Sequence, residues 1–440
     1  MHRSIWRCGP LAVLAALAAC EDKANFTNVV VTPTPAVERE WTVAVFLAAD
    51  NNLATFGIDD IDKMEAAGVD PRVGVVVQAE FSPSHLAAVN CDAGCFNRPN
   101  FNTFRYVITG QGADVPGPNG PTVDIGNRNM TDPAELRDFI QFVKANVPAK
   151  RLLVVLWNHG GGFEGLLEDE TSARGHLMAI SDLPIAFRND PVNVLDFDMC
   201  LMGGYEVLAQ LSGNTAFAVF SQETIPGGGH PYTQIIQHMN ANPTADAATV
   251  ATIWADEYAG FYAGTEQSTT ISAYDLGGFS EFERALDQLA GSLHGNLTTL
   301  FPSITAAAAG AQRYAAPVNK DLVNLLDSLD VRVADPTIHA QIATLRAQTI
   351  DPEFRLRNHF STGTAQGENN VDRSNGLSIV LPSGDGTDVF DASGTGSFAN
   401  YQAQLPTKAW TAFLDEYVAL LPPITPTQAP TRSTQRCVAR

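Results

Sequence analysis

Two stretches of this sequence carry residue types that could perform acyl transfer. Arg151–Gly162, RLLVVLWNHGGG, is an apolar run that stops at Asn158-His159-Gly160-Gly161-Gly162. Val192–Met202, VNVLDFDMCLM, is another, and it delivers Cys200 just ahead of Gly203 and Gly204. Bulky and β-branched residues bounded by glycine predict a strand buried on both faces in each case. In an open α/β sheet, ligands bind in the crevice beyond the carboxyl ends of the strands. A histidine and a thiol presented there could stand side by side, the thiolate attacking a carbonyl while the imidazole moves the proton. Alone, each residue reads as readily as a packing residue. The setting changes the reading. Packing does not require three glycines after a histidine, whereas a turn whose amides bind an oxyanion uses them. Asp198 shares strand parity with Cys200 and lies about 7 Å back along the strand; on a cleft-facing side it avoids the cost of an unpaired buried charge.

The elements that must position these residues follow from periodicity. Trp41–Ala49 predicts a strand ending in Asp50-Asn51-Asn52, Leu53–Ala67 a helix, and Arg72–Ala79 and Phe104–Thr109 two further strands. Asp132 predicts an N-cap, with Pro133 at the first helical position and Glu135 completing a capping box; Leu136, Phe139, Ile140 and Val143 form the apolar stripe. Strands are expected again over Ala216–Ser221 and Thr269–Tyr274. Strands alternating with helices imply βαβ units around a mostly parallel sheet flanked by helices, an α/β fold. Past Asp275 the pattern turns mainly helical, apart from a strand at Gly376–Pro382, and ends in an amphipathic helix carrying Trp410, Phe413, Leu414 and Tyr417. The expected organisation is a core over residues 40–275, a mainly helical region over 276–425 that completes it, and a disordered tail over 426–440.

The chain has 440 residues, 45% of them hydrophobic, enough for a large core. Its net charge of −21 argues against nucleic acid as a partner. At the amino terminus, Arg3 and Arg7 precede an apolar stretch, Leu11–Ala19, closed by Leu17-Ala18-Ala19-Cys20. This resembles a bacterial lipoprotein signal. The resemblance implies that residues 1–19 are removed, that Cys20 is lipidated, and that the protein sits in the cell envelope behind a tether over residues 20–39. An ordinary secretory signal would give export without the lipid. Cys91 and Cys95 enclose three residues in an Asn- and Pro-rich loop, and an oxidising compartment favours closing them as a disulfide. A metal site there would need more ligands than His85 provides. Cys200 is left as a single thiol.

Asp50-Asn51-Asn52-Leu53, Asn158-His159-Gly160-Gly161-Gly162, Asp198-Met199-Cys200-Leu201-Met202, Ser221-Gln222-Glu223 with Pro226-Gly227, and Gly376-Leu377-Ser378-Ile379 occur in this order. The set resembles the clostripain-like cysteine peptidases. The resemblance implies a caspase-like sandwich, with His159 as catalytic histidine, Cys200 as nucleophile, and the amides of Gly160 and Cys200 as oxyanion donors. It implies Asp198 as the carboxylate that accepts Arg or Lys, with Ser221, Gln222 and Glu223 lining the same cleft and protein or peptide substrates with basic residues. The chemistry needs no cofactor. Calcium dependence and self-cleavage also come with the resemblance. Glu164, Glu168, Asp169 and Glu170 offer hard oxygen ligands without EF-hand spacing, and Arg174-Gly175 is the matching bond for self-cleavage. Asn158 stands where many relatives carry Asp. Two rival readings share the fold: a catalytically inactive surface binding module, and a hydrolase of non-peptide amides.

Overall fold

Along β1 (Arg39–Ala49) the side chains divide by parity, Ala44, Phe46 and Ala48 into one apolar cluster and Val43, Val45 and Leu47 into another. That period of two is what a strand with both faces covered must show. The computed structural model describes residues 39–68, 70–86, 103–110, 122–386 and 388–422. They belong to one unit spanning Pro35–Arg440. Cys20, the Cys91/Cys95 pair, the signal segment and the tail lie outside the described residues.

The remaining strands are β2 (Val73–Phe81), β3 (Phe104–Val107), β4 (Thr122–Asp124), β5 (Ala149–Trp157), β6 (Leu166–Asp169), β7 (His176–Met178), β8 (Val192–Asp198), β9 (Thr215–Phe220), β10 (Thr269–Asp275), β11 (Asn319–Asp321), β12 (Arg355–Ser361) and β13 (Ser378–Val380). Nine form one sheet in the order β12-β10-β9-β8-β5-β1-β2-β3-β4. The five central strands, β9-β8-β5-β1-β2, run parallel, and antiparallel strands extend both edges. This is the α/β class read from the alternation of elements. From β1 the chain proceeds to β2 on one side, and from β5 to β8 and β9 on the other. The topological switch point therefore lies between β1 and β5, where such sheets open a crevice.

One face of the sheet is covered by the helices Ala54–Ala66, Tyr232–Ala241 and Ala247–Tyr262, which pack Ile61, Met64, Ile235, Met239 and Trp254 onto it. The other face takes Pro133–Asn146 and the helices of the carboxyl-terminal half. Asp132 caps the helix over Pro133–Asn146 through the Ala134 amide, 2.8 Å away. Glu135 does not close the expected capping box. It accepts instead from Gln78 at 3.0 Å and lies 3.7 Å from Arg105, because a buried cation draws the carboxylate away from the helix end. The mainly helical later region also contributes β12 to the main sheet. That strand pairs with β10 from Thr269↔Ser361 to Tyr274↔Arg355.

Candidate active site

The site is fixed by register. β5 and β8 are parallel neighbours with Trp157 opposite Asp198. His159 and Cys200 each follow two residues beyond that pair, so the two strand ends present them at the same level. Cys200 shares an apolar cluster with Val194 and Trp157, which places it on the Trp157 face of the sheet. The chain after the histidine then passes directly over the cysteine. A Cβ on Gly160 would lie 2.6 Å from the Cys200 carbonyl oxygen and 2.8 Å from Met202 Sδ, so only glycine fits. Leu201 takes a left-handed φ of 66° as the chain turns away past the cysteine, a conformation a leucine adopts only where its surroundings impose it.

His159 is 3% exposed and Cys200 1%. His159 Nε2 lies 2.7 Å from Asn52 Oδ1 at the end of β1. The loop before the histidine is tied in from beneath: the Asn158 side chain donates to the carbonyls of Ala48 and Glu168 and accepts from Asn51 at 3.0 Å. An aspartate could not make those two donations. The Asn158 departure thus leaves a well-satisfied amide. The Ile225 amide donates to Cys200 Sγ at 3.2 Å. Cys200 is disulfide-bonded in this structure, and the chemistry considered below belongs to its reduced form.

Beside the cysteine is a pocket of about 370 Å3, counting its open mouth, lined by Leu53, Phe56, Trp157, Asp198, Cys200, Ile225 and Pro226 among others. Asp198 Oδ2 accepts from Tyr232 Oη at 2.8 Å and from the His230 amide at 3.2 Å. A second carboxylate, Asp60, stands close behind. A Cβ on Gly229, whose φ is 56°, would meet Asp60 Oδ2 at 2.9 Å and Asp198 Oδ2 at 3.1 Å. Asp60 accepts from Trp157 Nε1 at 2.7 Å and pairs with Lys63 at 2.5 Å. Burial, then the Asp198 charge, raises the Asp60 carboxyl to about 7 despite Lys63. Deeper still, His230 Nε2 lies 3.0 Å from Asp196 Oδ2, both fully buried, at ion-pair distance but outside hydrogen-bond alignment. Burial works against a charged His230, yet Asp196 and then Asp198 outweigh it and push the imidazole up to about 9.

The three residues after β9 do something other than line this pocket. Ser221 bonds Thr270, Gln222 bridges Asp321 and the Gly376 amide, and Glu223 accepts from the Ala315 amide and from Asn369. All three are buried, at 1% exposure or less. Their polar groups satisfy the backbone of the carboxyl-terminal half, and the pocket wall is made two residues further on, by Ile225 and Pro226. Residues 170–175 form the tip of the β6–β7 hairpin, with Arg174 exposed at a left-handed φ of 57°. Of the acids after the histidine, Asp169 alone joins a buried carboxylate group, with Asp50 and Glu80. Reading along the chain missed Glu80 and Asp60, since each reaches its cluster from a different element.

A helix-flanked, mostly parallel sheet that sets a histidine and a cysteine on neighbouring strand ends is a caspase-like fold. The chain belongs to the clostripain family, whose sequence profile matches residues 45–330. It is similar to clostripain of Hathewaya histolytica, 26% identical over 300 residues, which is 57% of this chain and 56% of that protein. The matched part thus spans about half of the curated relative. The fold is shared with a secreted C11 cysteine protease from Bacteroides thetaiotaomicron in complex with an irreversible peptide inhibitor, at TM-score 0.59 and 19% identity over 86% of this chain and 99% of that one. An inactive zymogen C11 protease from Parabacteroides distasonis gives TM-score 0.61 and 16% identity over 87% and 99%. Among the described residues, no helix is long and apolar enough to cross a membrane.

Proposed function

We propose that the protein is an exported cysteine endopeptidase that cleaves after Arg or Lys through a Cys200/His159 dyad. The observation that carries this reading is the pairing of Trp157 with Asp198 across parallel strands, which brings both reacting groups and the acidic pocket to one strand end. His159 takes the Cys200 proton, the thiolate attacks the scissile carbonyl, and the amides of Gly160 and Cys200 hold the oxyanion. The imidazolium then protonates the leaving amine, and water, deprotonated by the same imidazole, hydrolyses the thioester. Asn52 Oδ1 meets the ring at Nε2 and fixes its orientation, the role that the third residue of a Ser-His-Asp triad plays at the other ring nitrogen. Asp198 receives the guanidinium or ammonium of the substrate. Tyr232 and the His230 amide hold its Oδ2, and among the described residues Oδ1 accepts no hydrogen bond.

Two further steps belong to the same reading. Cleavage after Arg174, at the exposed hairpin tip, would let the enzyme mature without a second protease. Cys20 would carry lipid and hold the protein at a bacterial membrane. Cys20→Ser should then leave the membrane fraction or remain unprocessed; unaltered processing and attachment would remove the anchor from the proposal.

The test is labelling of reduced protein with a peptidyl electrophile that carries Arg at the reactive end, alongside one that carries an uncharged residue. Expected is one adduct on Cys200, formed with the basic probe and absent in Cys200→Ala. No adduct with either probe would favour an inactive binding module. Labelling by a small amide electrophile, with neither peptide reacting, would favour hydrolysis of non-peptide amides.

A further inference from the structure

We propose that Lys63 is a positioning residue of the pocket beside Cys200, its ammonium latching the glycine wall Gly227-Gly228-Gly229 and thereby aiming Asp198. This rests on the reading above, in which Asp198 receives the substrate cation. Lys63 lies in the last turn of the helix Ala54–Ala66, three residues after Asp60, a spacing that puts both side chains on one face. Its Nζ donates to Asp60 Oδ1 at 2.5 Å and to the Gly228 carbonyl at 2.7 Å. One cation thus spans a buried acid and the wall. An ion pair that served its own helix alone would not also donate to a carbonyl 165 residues away. The Lys63 carbonyl in turn accepts from Thr233 Oγ1 at 2.7 Å, which ties this helix end to the helix Tyr232–Ala241 that follows the wall.

The wall needs such a tie because it has no side chains to pack. Residues 226–229 form a turn closed by the Gly229 amide on the Pro226 carbonyl at 2.8 Å, and Pro226, Gly227 and Gly229 line the pocket. A Cβ on Gly228 would lie 2.9 Å from Tyr262 Oη, and one on Gly229 would meet both Asp60 and Asp198, so close approach excludes side chains here. Consecutive glycines lose more backbone freedom on ordering than other residues do, and bonds to the backbone itself must offset that loss. Tyr262 Oη donates to the Gly229 carbonyl at 2.9 Å from a buried position. Lys63 holds the Gly228 carbonyl at the exposed corner of the turn. Its charge makes that bond the stronger kind.

What the wall controls is the next residue. The His230 amide follows Gly229 and donates to Asp198 Oδ2 at 3.2 Å, beside the Tyr232 hydroxyl at 2.8 Å. These two donors engage one oxygen and leave the other for the substrate. A wall that drifts takes the His230 amide with it, and Asp198 then loses one of the two donors that set its rotation. Lys63 thus acts on Asp198 through residues 228–230, a path that leaves the reacting groups out.

The test uses the reduced full chain and the variants Lys63→Met and Lys63→Arg. Hydrogen exchange of the ligand-free protein, followed by mass spectrometry, reads the wall without turnover. The Gly229 and His230 amides should exchange about tenfold faster in Lys63→Met, the worth of one hydrogen bond to a charged group. Kinetics on an Arg peptide read the consequence. KM should rise about tenfold with kcat held, and Lys63→Arg should restore both readouts, because a guanidinium carries several donors to share between carboxylate and carbonyl. A residue that only steadied its helix would lower the melting temperature and leave wall exchange and KM as in the wild type, and that result would overturn the latch. So would equal losses in kcat and kcat/KM, or Lys63→Arg behaving like Lys63→Met. A wild type with no preference for Arg over uncharged peptides would overturn the Asp198 reading and the latch together, whereas unchanged exchange beside an intact Arg preference overturns the latch alone.

Discussion

Two groups of buried carboxylates flank the proposed dyad, and they are balanced in opposite ways. Beneath Cys200, the acids Asp60, Asp196 and Asp198 are met by partners from the chain itself: Lys63 and Trp157 on Asp60, His230 on Asp196, Tyr232 on Asp198. Behind His159, the acids Asp50, Glu80 and Asp169 are met, among the described residues, by amides and hydroxyls and by no cationic side chain. The first group resembles a binding pocket pre-organised for a cation that comes and goes, because two of its acids already have a counter-ion and the third faces an open pocket. In the second, burial and then its two acidic neighbours push the Glu80 carboxyl up to about 9, so a proton offsets part of the charge. The difference teaches that acidity alone does not identify a site. What each carboxylate lacks is the more informative observation.

The largest expected effect lies between the two groups. His159→Ala should lower kcat/KM on Arg peptides by about 10²–10⁴-fold, the usual size of a general acid–base contribution, with circular dichroism unchanged. Wild-type turnover in that variant would remove the dyad. Next is His230→Gln, which takes the counter-ion from Asp196. Breaking a buried pair on one side costs about 3–5 kcal/mol, read by urea unfolding at pH 7. The sign of its pH dependence follows from the raised imidazole. Its stabilisation is complete below the unfolded histidine's value and is lost as pH rises through about 9. Wild-type stability should therefore decline across that interval, and His230→Gln should be flatter. Equal slopes would show that the pair is not ionised.

Asp198→Asn should weaken Arg and Lys peptides by about ten- to a hundredfold in kcat/KM, the worth of one charge-assisted contact of roughly 1.5–3 kcal/mol. Uncharged peptides should be spared; a uniform loss would reassign Asp198 to structure. The smallest effect concerns Asp60. Its carboxyl is raised to about 7, so the native state holds a proton that the unfolded chain releases near pH 4. Stability therefore falls as pH rises through that window and levels off above it. Asp60→Asn should abolish that slope, worth up to about 2 kcal/mol between pH 5 and 7. An unchanged slope would place the titrating group elsewhere and undo the picture of Asp60 and Asp198 sharing one pocket.

Much of the central sheet was legible, because β1, β5, β8 and β9 are continuous apolar runs closed by Gly, Asn or Asp, and buried parallel strands need that composition. The placement of His159 and Cys200 at neighbouring strand ends was legible for a related reason, since both sit where an apolar run stops. β12, RLRNHFS, was not. It is a half-exposed edge strand whose polar alternation carries no strand signal, and it joins the sheet only because β10 offers an unpaired edge. Glu135 reads as a capping-box residue, but Gln78 and Arg105 claim it from a neighbouring strand pair, a contact no local pattern contains. Ser221, Gln222 and Glu223 follow a strand next to the nucleophile and so read as cleft residues; their burial against Thr270, Asp321 and Asn369 depends on segments 48 to 146 residues away in sequence.

By itself, then, the sequence determined where strands run and which residues stand at their ends, because local sterics and burial periodicity act over a few residues. The tertiary structure alone decided which carboxylates meet. Asp60 comes from a helix and Asp198 from a strand, while Glu80 and Asp169 come from two further strands and Asp50 from the residue just past a third. Coulomb interaction and desolvation depend on distance in space, which spacing along a chain does not encode.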